Sequence, residues 1–329
     1  MNRVLERGTF LLSIDTELAW GAVHNGQCER RQTEYRLTRG VIGRLLELLE
    51  RYNIRATWAV VGHLFLRECH PADGVKHPEI LRPEYSWLSG DWFDADPCTS
   101  LEAASNWYGK DIVEQILSCK VPQEIGCHTF SHIIVGDPGC KRESIESELR
   151  LCCLEAEKFG LVLQSFVFPR NSVGHLERLA EAGFIAFRGP APSWFERLPG
   201  MVSRIGHLLD NLLPLSPPAV LPQREMGLWN LPASYYYPPT NRWWGLIPVS
   251  LRAYKVKQGL RQAAKQQRLF HLWFHPFNLA SNPERLLGGL EKIFAEFCRY
   301  RDAGLLDNFT MGELAHSLQL RRGKEVKLS

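Results

Sequence analysis

The sequence predicts an α/β fold in which about seven parallel strands alternate with helices. Short apolar runs that are rich in β-branched and aromatic residues are followed, along most of the chain, by longer amphipathic stretches. This alternation is typical of parallel βαβ units. The length of 329 residues suits a single large barrel of such units, although it would also allow two small domains.

The first strand is predicted at residues 9–14 and the second at residues 54–61. Between them, leucine and valine side chains recur at helical spacing. Later strands are predicted at residues 124–127, 165–168, 184–187, 228–234 and 269–274. Helices are predicted at residues 144–159, 176–182, 251–267 and 283–303.

Two long segments interrupt this pattern. Residues 63–122 and 189–227 carry Pro, Gly and aromatic residues without regular periodicity, which is typical of functional lids and binding loops. The sequence contains neither an internal repeat nor a recognisable linker. We therefore expect one domain over residues 1–329, with two insertions.

Charge and cysteine content exclude several classes of protein. A net charge of +3 is too small to support nucleic-acid binding through phosphate contacts. The nine cysteines have no regular spacing, and Cys152 adjoins Cys153, so a disulfide framework is not expected. The sequence shows no secretory signal and no apolar run long enough for a membrane span. These features predict a cytoplasmic protein.

Polar side chains follow four of the predicted strands, at the end of a parallel barrel where active sites collect. They are Asp15 and Glu17 after the first strand, His128 and His132 after the third, Arg170 and Asn171 after the fourth, and His275 after the last. Asp15 and Glu17 stand two residues apart in an extended segment, so both carboxylates should point to one side. His128 and His132 stand four apart, which would place both rings on one side of a helical turn.

Two histidines, one carboxylate and an open position are the usual arrangement around a catalytic zinc ion. Such an ion lowers the pKa of bound water and polarises a carbonyl oxygen. A second carboxylate could take the proton of the water, His275 could protonate a leaving amine, and Arg170 could orient a carboxylate or stabilise charge. Each residue, taken singly, also fits an ordinary structural role in a hydrogen bond, a helix cap or an ion pair.

These residues resemble the motifs of the polysaccharide deacetylases of carbohydrate esterase family four, also called the nodulation-protein homology domain. The similar segments are, in the family's order, SIDTE at 13–17, ATWAVVG at 56–62, HTFSH at 128–132, FPR at 168–170 and LWFH at 272–275. The resemblance implies a distorted (β/α) barrel, usually of seven strands. It also implies hydrolysis of N- or O-acyl groups on sugars with one divalent metal ion.

The resemblance implies roles for single residues. These are Asp15 as general base, His275 as general acid, His128 and His132 as metal ligands, and Arg170 as the residue that orients the base. The sequence departs from the family in two places. Thr16 stands where the family usually has a metal-binding aspartate, so we assign that ligand to Glu17, with Thr16 as the weaker choice. In the third motif, Pro169 precedes Arg170, whereas the family has the reverse order.

Aromatic residues suggest where a sugar would bind, because flat rings suit the faces of sugars. In long loops such rings more often cover the core. The predicted contacts to an acylated amino sugar are Trp92, Trp107, Trp273 and Asn171, with a second aromatic group at 235–237 and 243–244.

A basic stretch follows the second aromatic group. Residues 251–268 include six basic residues and no acidic one. Together with the aromatic residues before it, the segment 243–268 could lie on an anionic membrane surface or bind a pyrophosphate. In a cytoplasmic protein this suggests a lipid- or nucleotide-linked sugar as substrate. The alternative is an ordinary solvated helix face.

The sequence thus favours a metal-dependent hydrolase that removes an acetyl or formyl group from an amino sugar in glycan or glycolipid biosynthesis. The expected metal is zinc, with cobalt, nickel or iron as alternatives. A catalytically silent carbohydrate-binding barrel and an amidohydrolase of small ureide-type compounds are the alternative functions. A silent relative would be expected to lack an acid, a base or a ligand, and all of these are present.

Overall fold

A computed structural model describes residues 5–191 and 216–328, and its strands form one curled, mostly parallel sheet. The strands are β1 (Gly8–Thr16), β2 (Thr57–Val60), β3 (Glu124–Cys127), β4 (Ser165–Val167), β5 (Ala186–Arg188), β6 (Gln223–Glu225), β7 (Leu228–Asn230), β8 (Tyr235–Tyr236), β9 (Leu269–Phe274) and β10 (Leu306–Phe309). The predicted α/β class and distorted barrel are confirmed. Residues 192–215, most of the second predicted insertion, lie outside the described residues.

Helices pack against this sheet through apolar faces at helical spacing. They are α1 (Gln32–Tyr52), α2 (Lys110–Leu117), α3 (Arg142–Glu157), α4 (Leu176–Glu181), α5 (Val249–Gln266), α6 (Pro276–Leu279), α7 (Pro283–Asp302) and α8 (Met311–Leu328). In α7, for example, Leu290, Phe294 and Phe297 are buried in the main hydrophobic core. These long helices form because one side of each can be removed from water on the barrel.

Strand β1 is buried along its whole length and lies inside the sheet, whose order is β6-β7-β5-β4-β3-β2-β1-β9-β8. On one side it pairs with β9. On the other side it pairs first with β10, from Gly8 to Leu11, and then with β2, from Ser13 to Thr16. All these pairings are parallel, so the carboxyl ends of the strands meet at one edge of the sheet.

Only the first three residues of the strand predicted at residues 228–234 form a strand, β7, and a second short strand, β8, begins just beyond that range. Strand β7 pairs with β5, whereas β8 pairs with β9. Pro232 falls between them and has no N–H group to donate to a neighbouring strand. The segment from β7 to β8 therefore changes its pairing partner from β5 to β9. This short connection brings the two ends of the curled sheet close together.

The basic stretch does not form one exposed cationic face. It lies in α5, where Arg252 and Lys255 are buried. Arg252 donates hydrogen bonds to the carbonyl oxygens of Pro238, Trp244 and Ile247, so its guanidinium holds the preceding loop in place. Because two of the six basic side chains are buried, the helix has no continuous charged surface for the membrane contact predicted through 243–268. Within the described residues, no helix is long and apolar enough to cross a membrane.

Candidate active site

A cleft of about 350 Å³ opens at the carboxyl ends of the strands. Its lining comes mainly from the ends of β1, β4 and β9 and the loops beside them: Asp15, Glu17, Gly21, Arg31, His132, Arg170, Asn171, Tyr236, Pro239, Asn241, Trp244, Trp273, His275, Phe277 and Asn278. All the strand-end residues predicted to carry chemistry except His128 therefore border a common space.

Asp15 and Glu17 both reach this cleft because they stand two residues apart at the end of β1. Thr16 points elsewhere, and its hydroxyl donates to the carbonyl of Ile14 at 3.4 Å. Gly21 leaves room for the carboxylate, since a Cβ atom there would lie 1.8 Å from Glu17 Oε2. Glu17 is thus the acidic residue that meets the histidines.

Two histidine rings converge on Glu17. Glu17 Oε1 lies 3.2 Å from His128 Nε2 and 3.3 Å from His132 Nε2, and all three side chains are buried. The segment from 128 to 132 is a loop rather than the helical turn on which the spacing argument relied. Thr129 and His132 adopt left-handed backbone angles, with φ of 58° and 63°, and this unusual backbone turns both rings inward.

The hydrogen bonds around this group fit a bound cation. His128 Nδ1 lies 2.7 Å from the carbonyl oxygen of Val167, which can only accept, so Nδ1 carries the proton. In the neutral ring, Nε2 is then a bare acceptor that faces the carboxylate of Glu17. Two acceptors at this distance repel each other unless a proton or a metal ion lies between them. The donor set of two imidazoles and one carboxylate is the one that catalytic zinc prefers.

Glu148 on α3 holds the histidine loop from behind. Its two carboxylate oxygens accept from the backbone N–H of Ser131 at 2.8 Å and from the Ser131 hydroxyl at 2.5 Å. Glu148 is fully buried, and burial raises its pKa to about 7. The neighbours His128 and His132 therefore depend on a carboxyl group that sequence motifs did not indicate.

Arg188, at the end of β5, binds the other carboxylate of the cleft. Its Nη1 lies 2.7 Å from Asp15 Oδ1, and its Nη2 lies 2.7 Å from Asp15 Oδ2. The same guanidinium donates to Ser13 Oγ at 2.9 Å and to Asn171 Oδ1 at 3.2 Å. His271 Nε2 completes the network 2.9 Å from Ser13 Oγ.

This network corrects the role predicted for Arg170. The guanidinium that orients Asp15 belongs to Arg188, whereas Arg170 is exposed at the rim of the cleft. Arg170 follows β4 in a short 3-10 turn, where its φ of 56° directs the chain away from the floor of the cleft. A signal for Arg188 was present, because it ends a strand just as Asp15 does. The predicted strand stopped one residue before it.

His275, at the end of β9, stands between the two carboxylates. Its Nε2 lies 3.1 Å from Glu17 Oε1 and 3.9 Å from Asp15 Oδ2. The side-chain amide of Asn278 lies 3.1 Å from His275 Nδ1 and is placed to donate to it. That bond keeps the proton on Nε2, the nitrogen that faces the cleft.

The charges of these groups follow from their mutual contacts. Burial alone would raise the pKa of Asp15, but Arg188 outweighs burial and holds that pKa below its usual range. The pKa of Glu17 is well below its usual range, because the surrounding histidines outweigh the effect of its burial. Burial would lower the pKa of His275, but Glu17 and Asp15 raise it above its ordinary value. Two ionised carboxylates therefore face His275 and favour its uptake of a proton.

The aromatic residues divide into two groups. Trp273 lines the cleft with Asn171, and from the second predicted aromatic group Tyr236 and Trp244 also line it. Trp92 and Trp107, however, are not part of the lining. Trp92 is buried and donates to the carbonyl of Ser131, and Trp107 packs edge-on against Trp20, because the first insertion folds onto the barrel. Their predicted role in substrate binding is therefore not supported by their positions.

The fold is similar to that of solved polysaccharide deacetylase structures. No protein-family model matches the sequence, and no curated protein matches it either. Among solved structures, a candidate polysaccharide deacetylase from Mycobacterium smegmatis superposes with a TM-score of 0.61, at 15% identity, over 96% of this chain and 92% of that one. A candidate polysaccharide deacetylase from Pseudomonas aeruginosa gives 0.49, at 12% identity, over 94% and 89%. A family 4 acetyl xylan esterase from Clostridium thermocellum, in complex with cobalt, gives 0.38, at 13% identity, over 93% and 89%.

The similarity to the Mycobacterium smegmatis structure spans nearly the whole of both chains. At this identity it establishes the fold, and the resemblance to polysaccharide deacetylases inferred from the motifs is confirmed at that level. The fold does not determine the reaction, which depends on the residues of the cleft.

Proposed function

We propose that this protein is a metal-dependent hydrolase that removes an acetyl group from an acylated amino sugar. The observation that carries the proposal is the meeting of two differently organised carboxylates in one cleft. Glu17 faces His128 and His132, whereas Asp15 is paired with Arg188. One carboxylate is thus arranged to bind a cation and the other to handle a proton.

Glu17, His128 and His132 would hold the ion, which when bound supplies polarisation of the acyl carbonyl and activation of water. Asp15 is held ionised and aimed into the cleft by Arg188. It is therefore placed to accept the proton that the attacking water loses. Because both of its oxygens are bonded to one rigid guanidinium, its orientation is set before substrate arrives.

His275 supplies the proton that the second half of the reaction needs. An amine is a poor leaving group until its nitrogen is protonated, and His275 carries a proton on Nε2 while Asn278 holds Nδ1. The ring, with its Nε2–H, borders the cleft next to both carboxylates. We assign it as the general acid that delivers a proton to the departing sugar nitrogen.

The walls of the cleft support a sugar that carries an anionic group. Trp273, Tyr236 and Trp244 present aromatic rings to the space, and Tyr236 lies 4.5 Å from Trp273 between ring centroids. Arg31 and Arg170 add two cations to the same lining. Aromatic rings suit the faces of a sugar, and guanidinium groups suit phosphate. A nucleotide- or lipid-linked amino sugar would use both features.

The test is incubation of the metal-loaded protein with a panel of acetylated sugars, followed by mass spectrometry and acetate measurement. The panel holds free, nucleotide-linked and lipid-pyrophosphate-linked N-acetyl amino sugars, with an O-acetylated sugar as the ester arm. We expect equimolar acetate and free amine from a phosphate-bearing N-acetyl substrate, and neither product with Asp15→Asn. Binding of these sugars without acetate release would instead identify a silent carbohydrate-binding barrel.

A further inference from the structure

A second group of metal-ligand side chains lies outside the cleft, in the first insertion. His63, Cys69, His77 and Asp96 point into one buried space, and none of them lines the cleft. His63 follows β2 directly, whereas the other three come from a segment, residues 66–109, that contains no helix or strand. A loop of this length without regular structure needs other contacts to remain packed on a barrel.

The distances within this group match a tetrahedral ion. His63 Nε2 lies 3.6 Å from Cys69 Sγ and 3.5 Å from Asp96 Oδ2. His77 Nε2 lies 3.0 Å from the same Asp96 oxygen, and Cys69 Sγ lies 3.9 Å from it. Ligand atoms that bind zinc at about 2.0–2.3 Å stand roughly 3.3–3.8 Å apart from one another. Two of the four distances fall in this range, and the other two lie within about 0.3 Å of it, so small adjustments would bring the four atoms around one ion.

Both histidines have an oxygen acceptor at Nδ1, the ring nitrogen that faces away from the other ligand atoms. His63 Nδ1 lies 3.2 Å from the carbonyl oxygen of Trp107, and His77 Nδ1 lies 3.4 Å from Glu79 Oε1. Each Nδ1 thus has an oxygen acceptor for its proton. With the proton on Nδ1, each Nε2 atom is free to bind a metal ion beside the Asp96 carboxylate. Such second contacts to carbonyl or carboxylate are typical of metal-bound histidines.

Cys69 Sγ also has a possible hydrogen-bond donor beside it, the hydroxyl of Tyr108. The hydroxyl of Tyr108 accepts from the backbone N–H of Thr99 at 2.7 Å, so its own proton is free to point at Cys69 Sγ, 3.2 Å away. A donor at that position suits a thiolate. The second carboxylate oxygen of Asp96 accepts from the backbone N–H of Cys98 at 2.9 Å, which fixes the carboxylate.

Burial makes the group costly without a cation. The side chains of His63 and Asp96 are fully buried, and those of Trp20, Phe93 and Phe130 lie around the histidine rings. These groups lose their hydration, and the contacts of His77 Nε2 and Cys69 Sγ to Asp96 offset that loss through a single carboxylate oxygen. A divalent ion would add attraction to all four ligand atoms.

We propose that His63, Cys69, His77 and Asp96 bind one divalent ion, zinc by donor preference, that fastens the first insertion to the barrel. On binding, the four protein ligands replace water molecules bound to the ion, and the Cys69 thiol releases its proton to solvent. All four positions are filled by protein, so the site is structural rather than catalytic. The proposal stands independently of the function assigned to the cleft.

Cobalt(II) replacement tests this site separately, because only a cysteine ligand gives a sulfur-to-cobalt charge-transfer band and the ligands of the cleft include no cysteine. We expect the wild-type protein to take up cobalt with this band and with the visible spectrum of a tetrahedral ion. The band should persist in Glu17→Ala and disappear in Cys69→Ser. Because the wild-type spectrum needs no variant, the test survives if a variant fails to fold.

Cys98→Ser is the matched control, since Cys98 Sγ lies 3.1 Å from Cys69 Sγ but outside the group of four. It should keep the band. Loss of the band with Cys98→Ser but not with Cys69→Ser would overturn the assignment. So would a wild-type spectrum without sulfur-to-cobalt absorption, or a metal-free protein that holds a Cys69–Cys98 disulfide under reducing conditions.

Discussion

Arg188 and Asp15 form a bidentate ion pair, with two N–O distances of 2.7 Å, and both side chains are almost completely buried. The guanidinium also lies over the Trp273 ring, 4.2 Å from its centroid. The end of β5 is thereby joined to the end of β1, and Trp273 from β9 covers the pair. One arginine therefore links the proton-accepting group of the cleft to its aromatic wall.

Replacement of Arg188 by methionine should destabilise the protein by about 3–5 kcal/mol, because it leaves the Asp15 carboxylate buried without a partner. Arg188→Lys should restore the charge but not the two parallel hydrogen bonds, so turnover should remain low. Arg170→Met is the matched control for stability at the exposed rim, with an expected change of about 0.5 kcal/mol or less. Urea unfolding measures the free energies, and initial rates measure the turnover of the Arg188 variants. Equal losses of stability at the two arginines would contradict the assignment.

Asp15→Asn and Glu17→Gln should separate proton transfer from metal binding. Asp15→Asn should retain the metal content of the wild type and lose about a hundred- to ten-thousandfold in turnover, because the general base is gone. Glu17→Gln should lose one ion per chain, since a neutral amide replaces a charged ligand. Elemental analysis after dialysis measures both, with melting temperature as the control for folding. The reverse pattern would exchange the two roles.

The carboxyl group of Glu148 should make stability depend on pH. In the folded chain its pKa is about 7, whereas its ordinary value is 4.5, so the folded state holds a proton that the unfolded state has lost. The free energy of unfolding should therefore fall as the pH rises from 4.5 to about 7, by on the order of 3 kcal/mol.

Glu148→Gln cannot ionise and should lack this fall. Its free energy of unfolding, relative to the wild type, should therefore increase between about pH 5 and about pH 8. Urea unfolding at both pH values measures the difference. A difference that stays constant with pH would show that Glu148 does not titrate in this range.

Trp244→Ala should weaken substrate binding, because this ring lines the cleft beside Tyr236. Loss of one stacking ring corresponds to roughly 0.5–1.5 kcal/mol, which is about a two- to thirteenfold rise in KM with little change in kcat. Trp87→Ala is the matched control, since Trp87 is exposed and belongs to the insertion away from the cleft. A similar rise in KM for both variants would contradict the proposed sugar surface.

Local patterns were sufficient to place most of the strand-end residues. The spacing of Asp15 and Glu17 brings both carboxylates into the cleft, because two-residue periodicity is a property of any extended segment. The spacing of His128 and His132 predicts that both rings lie together on one side of a helical turn. The rings do lie together, but the residues form a loop and not a helix. Convergence on Glu17 depends instead on left-handed backbone at Thr129 and His132, which sequence spacing does not encode.

The remaining residues depend on contacts between distant parts of the chain. Glu148 reaches Ser131 only because α3 packs behind the histidine loop, and a glutamate on a helix resembles any solvated one. The ligands proposed in the first insertion, His63, Cys69, His77 and Asp96, have no regular spacing, so no motif reveals them. Trp92 and Trp107 are predicted to bind substrate but do not line the cleft. Aromatic composition does not distinguish a ring that binds sugar from one that covers the barrel.

We propose that Glu17, His128 and His132 form a hydrolytic metal centre in the cleft. Acetate release from an N-acetyl amino sugar, by protein first stripped of metal and then titrated with zinc or cobalt, tests it most directly. Activity should be absent after stripping and return with the added ion in the wild type, but not in Glu17→Ala. Full acetate release by the stripped protein, or by Glu17→Ala, would contradict the claim.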